Sequence, residues 1–365
     1  MHRWPRERIV VAPRDGDRPA GQACAVDLRE RPVRAVDPAE WDRFVIACGG
    51  SFMCAWSVVS AYRLLGRVRI FDVVAPDSTG HPVKVGQCAV CTGPARVRVL
   101  DRLLLMPGSG HLWDACMQQV LACCGRATYE YGSLWNHEDH QPPAVAAAEG
   151  ARAARRAFSL DLVDFSAWPD FAAYRRSVSE NIRRDFRKAE ADSARVVRRQ
   201  GWRALGDLDA LVRLRGEVMR KNGESFSALA DYGRHLVKLA CLRDHAFIAT
   251  ARTTRGCHAV FFGVAFGDNL YYLGGGTAAD SNGAGSFLFL TLIEDWFRDH
   301  PRGRLYLGAQ VGGLEPAAYT RGNLLYRRKL RATQVRGTAF ALTMDAPAER
   351  PHAVGLRRQA GSGRG

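Results

Sequence analysis

Short runs of apolar and β-branched residues, bounded by turn residues, recur in both halves of the chain. Such runs are typical of β-strands. They read VRIFDVVAP, VKVGQCAVCTG and RVRVLDRLLLM in the first half, and HAFIATART, HAVFFGVAF and NLYYLGGG in the second. The Gly267-Asp268-Asn269 sequence before the last run is typical of a hairpin turn. The pattern predicts three consecutive, mostly antiparallel strands in each half.

Elsewhere apolar residues recur every three to four positions, which is the period of an amphipathic helix. This spacing predicts helices over residues 172–191, 207–221 and 228–241, with a strand over 194–200 between the first two. The residues after Met344 carry too little apolar surface to fold. We therefore predict a disordered tail over 345–365.

A longer pattern repeats across the two halves. Each predicted three-strand set is followed by a Gly-x-Gly turn, a helix of about four turns and a short strand that ends near glycine. Gly110 and Gly132 are 22 positions apart, and Gly285 and Gly308 are 23 apart. A Pro-Ala-rich helical segment and a basic, β-like run follow in each half (RRAFSLDLV and LLYRRKLRAT). The repeat predicts two similar α+β domains, residues 1–158 and 159–344.

The charge of the chain indicates a polyanionic partner. Lysine and arginine number 52 against 37 acids, which gives a formal net charge of +15 over 365 residues. Such an excess favours nucleic acid, an anionic surface or a phosphate-rich cosubstrate. The charged N-terminus does not resemble a signal peptide and no apolar stretch is long enough to span a membrane, so we expect a cytoplasmic protein.

Metal binding is not expected from the cysteine and histidine pattern. Cys88 and Cys91 form a CxxC inside a predicted strand, without a second pair, and favour buried free thiols. His137 and His140 flank two acids, which fits a polar loop better than a metal site. We predict no metal and no tightly bound cofactor.

The order of these elements resembles the GNAT acyltransferase superfamily in its tandem, Fem-type arrangement. The resemblance rests on EWDRFVIACGGSFMCAWSVVSAYRLLG, SVSENIRRDFRKAEA, GAGSFLFLTLIEDWF with GRLYLGAQ, and EPAAYTRGNLLYRRKL. It implies two GNAT-like domains, each a mixed, mostly antiparallel sheet flanked by helices. It also implies an acyltransferase that moves an acyl or aminoacyl group to an amine.

The resemblance further implies where the donor binds. Backbone groups of one strand would align the donor, and amides at the following turn would face its carbonyl or phosphate. The donor-binding candidates are Tyr271, Tyr272, Leu273, Gly274, Gly283, Ala284, Gly285 and Ser286. A simpler alternative is that Gly283 and Gly285 only form a tight turn. Asp280 stands where acetyl-CoA enzymes carry Gln or Arg, which weakens a CoA interpretation.

Tyr319 is the candidate catalytic residue. It lies three residues before a glycine, as does the superfamily tyrosine that often protonates the leaving group. Alanines at 146–148 take the corresponding place in the first half, so we expect the chemistry in the second half, with the first half as scaffold and acceptor wall. The alternative is that Tyr319 is a packing residue.

Two basic clusters are candidates for a phosphate-binding track, because arginine binds phosphate with two parallel hydrogen bonds. The alternative is a solvated helix face with ion pairs along it. The candidates for contact with a polyanion or tRNA are Arg176, Arg183, Arg184, Arg187, Lys188, Arg327 and Arg328.

Three functions remain open at this point. The first is transfer of an aminoacyl group from aminoacyl-tRNA to an amine of a small-molecule or peptide acceptor. The second is an acyl-CoA-dependent N-acyltransferase of the acetyltransferase type. The third is a non-catalytic, RNA-binding module that keeps the fold. The first two differ in the cosubstrate, aminoacyl-tRNA or acyl-CoA.

Overall fold

A computed structural model of the chain describes residues 26–93, 96–125, 127–135, 152–311 and 318–344. The predicted disordered tail (345–365) and the segment with His137 and His140 lie outside these residues. None of the helices in the described ranges is long and apolar enough to cross a lipid bilayer.

The described part of the first half forms a strand-rich unit. Its first helix begins at Asp37, whose carboxylate accepts a hydrogen bond from the Ala39 N–H (3.0 Å). The elements are β1 (Asp27–Arg31), α1 (Pro38–Ala47), α2 (Trp56–Tyr62), β2 (Arg67–Pro76), β3 (Pro82–Thr92), β4 (Arg96–Val99), β5 (Leu104–Leu105), α3 (Trp113–Cys124) and β6 (Thr128–Tyr131). Two of the three strands expected here are present as single strands, whereas the run RVRVLDRLLLM is broken into β4 and β5 by a turn at Asp101, whose φ is 66°.

The first half closes with one long strand, and after two connecting helices the second half repeats this order with longer helices. The elements are β7 (Arg152–Asp164), α4 (Phe171–Ser177), α5 (Glu180–Ala191), β8 (Arg195–Gln200), α6 (Leu208–Lys221), α7 (Ala228–Leu242), β9 (Ala246–Thr253), β10 (Gly256–Phe266), β11 (Asn269–Thr277), α8 (Ala284–Asp299), β12 (Arg304–Val311), α9 (Ala318–Lys329) and β13 (Thr333–Thr343). The helix predicted over 172–191 is two helices, because Val178 is extended and Ser179 caps α5.

One predicted element was wrong. The run LLYRRKLRAT was expected to be β-like, but α9 continues through it to Lys329 and the strand starts only at Thr333. The reason is the apolar spacing: Tyr326 and Leu330, four residues apart, both pack into the core beneath α8. The intervening arginines mask this helical period.

The described strands form one continuous sheet rather than two separate ones. The order is β1-β2-β3-β4-β6-β13-β7-β12-β11-β10-β9-β8, with β5 paired to β3. The last strand of each half pairs with the other half: β7 lies beside β12, and β13 lies beside β6. β7 and β13 pair with each other along the centre. The predicted boundary between residues 158 and 159 falls within β7.

The sheet is mixed and mostly antiparallel, as predicted. The two parallel pairs are β4 with β6 and β11 with β12, and a helix connects the strands of each pair. In the second half, helices cover both faces of the sheet. Phe262 packs with α6 and α7 on one face, whereas its neighbour Phe261 packs with α5 and α8 on the other. The α6/α7 face and the α8 face are the two walls of the site described next.

Candidate active site

The parallel strands β11 and β12 separate after three residue pairs. They pair at Asn269 with Arg304, Leu270 with Leu305 and Tyr271 with Tyr306. Beyond this point β11 stays with β10 and β12 stays with β7. An opening therefore lies between β11 residues 272–277 and β12 residues 307–311, and we call this opening the slot.

A β-bulge lies on each strand where the slot begins. In β11, Phe262 faces Gly274 while Gly263 faces Tyr272, so Leu273 has no cross-strand partner. In β12, the register passes from Tyr306 directly to Gly308 and leaves out Leu307. A bulge leaves its extra residue unpaired in the ladder and is frequent beside active sites. Each strand beside the slot thus has backbone N–H and C=O groups at its bulge that can bind a ligand.

The floor of the slot is aromatic. The Tyr271 ring stacks on Tyr306 with 4.7 Å between centroids, and Phe52 and Trp135 of the first half pack edge-on against it at 4.8 and 5.7 Å. Burial raises the pKa of Tyr271. The predicted donor residue Tyr271 thus lies in the packed floor. Its neighbour Tyr272 points to the opposite face, against Phe261.

An arginine lies against β11 on the α6/α7 face. Arg215 Nη1 is 2.8 Å from the position that a Cβ on Gly274 would take. Asp231 of α7 fixes the other edge of the guanidinium, since Arg215 Nε donates to Asp231 Oδ2 at 3.0 Å. The Asp231 side chain is 4% exposed. The edge of Arg215 that carries Nη1 therefore faces Gly274 of β11.

His235 lies beneath this arginine. Its Nδ1 is 2.8 Å from the Asp231 carbonyl oxygen, and its Nε2 is 4.0 Å from the same Cβ position on Gly274. Nε2 is buried and finds no hydrogen-bond partner among the described residues. Burial lowers the pKa of His235, and it also lowers the pKa of Lys238, on which Arg215 acts as a further cause.

A second arginine lies against β12 on the α8 face. Arg327 of α9 donates from Nη1 to Asp161 Oδ2 (2.7 Å) and to the Gly308 carbonyl (3.1 Å). Its Nη2 is 3.0 Å from the Cβ position of Gly308, and Gln310 donates to the same Asp161 oxygen. Arg327 was predicted as a surface contact for a polyanion. The structure places it in a largely buried ion pair at the slot, whereas Arg328 is exposed.

The predicted glycine turn does lead from β11 into α8, but α5 packs against it. Gly283 (φ 86°) leaves no room for a Cβ, because the Asp185 carbonyl of α5 lies against it. A Cβ on Gly285 would be 2.7 Å from the Thr277 methyl group. Ala284 and Ser286 are buried. Close packing thus accounts for both glycines, and Asp280 is a mostly exposed side chain near His258.

The corresponding turn of the first half is open. Gly108 has a φ of 89°, and a Cβ on either Gly108 or Gly110 would have no neighbour within 4 Å. The two turns therefore share a sequence pattern but differ in what covers them.

The proposed catalytic Tyr319 belongs to the first turn of α9, but its side chain is outside the described part of the structure. Seven residues later, Tyr326 packs against Phe289 of α8. Burial raises the pKa of Tyr326, while the Ser286 hydroxyl beside it acts in the opposite direction. The sequence did not single out Tyr326, whose signal is its four-residue spacing from Leu330.

The basic helix α5 presents an exposed face opposite its buried residues Ile182 and Phe186. Glu180 pairs with Arg183 (2.6 Å) and with Arg187 (2.7 Å), so one acid partly neutralises two of the predicted cations. The other predicted cations, Arg176 of α4 and Arg184 and Lys188 of α5, are exposed and lie outside these pairs.

The described cysteines give no metal site. Cys88 and Cys91 of β3 lie in different cores, on opposite faces of the sheet, because they are three residues apart in a strand. Burial raises the pKa of both thiols. No group of three His, Cys, Asp or Glu side chains among the described residues could hold a metal ion.

The sequence matches no protein-family model and no curated protein. The fold is similar to FemX, with a TM-score of 0.60 at 10% identity over 84% of this chain and 96% of the FemX chain. A conserved protein of unknown function from Bacteroides thetaiotaomicron gives 0.51 at 10% identity, over 87% of this chain and 100% of its own. A tandem GNAT protein from the clavulanic acid biosynthesis pathway gives 0.46 at 14% identity, over 89% and 100%. The similarity to FemX confirms the predicted Fem-type fold.

Proposed function

We propose that this protein is an acyltransferase that forms an amide in the slot. The observation that carries the proposal is the pair of bulges at Leu273 and Leu307, which open the slot between two arginines on opposite faces of the sheet. Unpaired backbone N–H groups and guanidinium groups together can hold an acyl carbonyl and stabilise the oxygen that becomes negative during attack.

The reaction needs alignment, polarisation and proton transfer. The acceptor amine attacks the acyl carbon, a C–N bond forms, and the bond from carbon to the leaving oxygen or sulfur breaks. Arg215 and the bulge at Leu273 polarise the carbonyl from the β11 side. Tyr319 is the proposed donor of a proton to the leaving group, since α9 also carries Arg327 into the slot.

We propose aminoacyl-tRNA as the donor. The net charge of +15 and the exposed cations of α4 and α5 fit a long polyanion better than a single cofactor. The packed turn at Gly283 also supports this choice, because α5 lies where the phosphates of a CoA donor would need access to backbone amides. The acceptor is an amine of a small molecule or peptide, and the reaction belongs in the cytoplasm, where charged tRNA is found.

An acyl-CoA donor is the second candidate. It is favoured by the Gly-x-Gly turn itself, since α8 still begins beside the slot with its N–H groups. A non-catalytic RNA-binding role is the third. RNA binding alone does not account for the buried polar groups along the slot.

A donor screen separates the three candidates. Purified protein is mixed with a pool of labelled aminoacyl-tRNAs or with labelled acyl-CoAs, together with a mixture of amines, and amide products are detected by mass spectrometry. We expect product only with aminoacyl-tRNA. Product only with acyl-CoA would establish the second candidate. Tight RNA binding without product from either donor would contradict catalysis.

A further inference from the structure

Nε2 of His235 is one of the buried side-chain polar atoms that have no hydrogen-bond partner in the described structure, and it is the one that lies beside Gly274 of the slot. The His235 side chain is 1% exposed, yet this nitrogen has no hydrogen-bond partner among the described residues. A carbonyl oxygen only accepts hydrogen bonds, so Nδ1, at 2.8 Å from the Asp231 carbonyl, carries the proton. Nε2 is therefore left as an acceptor with a free lone pair.

That lone pair lies beside the slot. Nε2 is 4.0 Å from the Cβ position of Gly274, the residue that follows the bulge of β11. The Phe262 ring packs edge-on against the imidazole at 5.3 Å between centroids and fixes its orientation. A buried acceptor without a partner is costly to a fold, and such exceptions call for a functional explanation.

The charges around His235 favour a neutral amine. Arg215, Arg234 and Lys238 surround one carboxylate, Asp231, whose oxygens already accept from Arg215 and Arg234. A positive environment lowers the proton affinity of any amine placed in it. Lys238 shows this effect on an amine of the chain itself, because burial and then Arg215 and Arg234 lower its pKa. An acceptor amine entering here is held in the unprotonated form that can attack.

We propose that His235 Nε2 accepts the N–H of the attacking amine and takes its proton, which makes His235 the general base of the acyl transfer. The inference rests on the function proposed above. As the C–N bond forms, one amine proton moves to Nε2 and the acyl–oxygen or acyl–sulfur bond breaks. The leaving atom takes a proton from the donor on α9. The imidazolium then releases its proton to solvent, and the donor on α9 takes one back from solvent. Arg215 and Asp231 hold the site around the imidazole.

The test compares wild type with His235→Gln, in which the amide still accepts a hydrogen bond but cannot take a proton. The nucleophile is hydroxylamine, and the donor is whichever class gives product in the donor screen. We expect kcat to fall about 10²–10⁴-fold, the usual contribution of a positioned base, with KM nearly unchanged. The ratio of wild-type to variant kcat/KM should fall as the pH decreases below 6.5. Protonation of the amine affects both proteins equally and cancels in the ratio, so the remaining pH dependence reports protonation of His235.

His245→Gln is the matched control, since His245 also packs edge-on against a phenylalanine of β10, Phe266, but lies away from the slot. Its kinetics should match wild type. A His235→Gln variant with wild-type kcat, or a ratio that does not change with pH, would overturn the role of His235 while leaving acyl transfer intact. Wild-type protein that gives no product with any donor would instead remove the proposed function.

If His235→Gln does not fold, ¹⁵N NMR of the full-length wild type tests the proposal instead, by showing which imidazole nitrogen of His235 carries the proton. A neutral imidazole protonated on Nδ1 down to pH 6.5 supports the proposal. Protonation on Nε2 at neutral pH would contradict it.

Discussion

The guanidinium of Arg215 lies against Gly274, with Nη1 2.8 Å from the point where a Cβ would stand. Gly274→Ala should therefore displace Arg215 from the slot. The obstructing atom is the end of a flexible side chain, so the fold should survive, but Gly274 has a φ of 158°, which residues with a Cβ rarely adopt, and Tm should fall. We expect kcat/KM to fall about 100-fold, the scale of a 1 Å displacement in a positioned site. Gly233→Ala on α7, where a Cβ meets nothing within 4 Å, is the control.

The glycine turns of the two halves should respond differently to alanine. Gly283 and Gly108 both have positive φ, so alanine costs each about 1–2 kcal/mol of backbone strain. Gly283→Ala also drives a methyl group into the α5 backbone at Asp185, which should add about 1–3 kcal/mol. Urea unfolding measures both variants. Equal losses would mean that α5 does not pack closely on the second turn.

The exposed cations of α5 should contribute to binding of tRNA. Arg184→Glu with Lys188→Glu should weaken binding and lower the magnitude of the slope of log K against log salt by about 1–2. Each phosphate contact releases counterions from the RNA when it forms, so fewer contacts release fewer counterions. Arg213→Glu with Arg298→Glu removes the same charge from exposed sites elsewhere. Equal effects of the two double variants would show that tRNA binding depends only on the net charge of the protein and that α5 does not contact the phosphates of tRNA.

Burial of neutral His235 should make stability depend on pH. Because burial lowers its pKa in the folded state, the unfolded chain takes up a proton first, near pH 6.5. The contribution is complete above that pH and is lost as the pH falls below it, by at most about 1.4 kcal/mol per pH unit. Unfolding free energies of His235→Gln should fall less steeply between pH 7 and 5 than those of wild type. An unchanged slope would indicate that His235 has the same pKa in the folded and the unfolded chain.

Local patterns predicted most strands, the glycine turns and the helices of the second half, because these depend on residues close in sequence. The exchange of β7 and β13 could not be predicted, since it is a pairing over more than 150 positions. The contact of α5 with Gly283 could not be predicted either, because the two are far apart in sequence. At the site, Asp231 and His235 stand four apart on one face of α7, a signal that sequence reasoning missed. Nothing in the sequence connects them to Arg215 or Gly274.

The most direct test of the slot as the site of acyl transfer compares two arginines that each pair with an aspartate of β7. Arg327 pairs with Asp161 at the slot, and Arg304 pairs with Asp164 at its closed end. Lysine in place of either keeps the charge but replaces the planar guanidinium with a flexible ammonium. At Arg327 this removes the rigid group whose Nη1 contacts both the Asp161 carboxylate and the Gly308 carbonyl.

The measurement is kcat/KM for amide formation by Arg327→Lys and Arg304→Lys, with unfolding curves to confirm that both variants are folded. We expect a loss of at least about 100-fold for Arg327→Lys, because the contacts of its guanidinium with Asp161 and Gly308 hold the β12 side of the slot in position. Arg304→Lys should stay within about twofold of wild type, the range of surface substitutions outside a site. Equal activity in both variants would contradict the placement of the reaction in the slot.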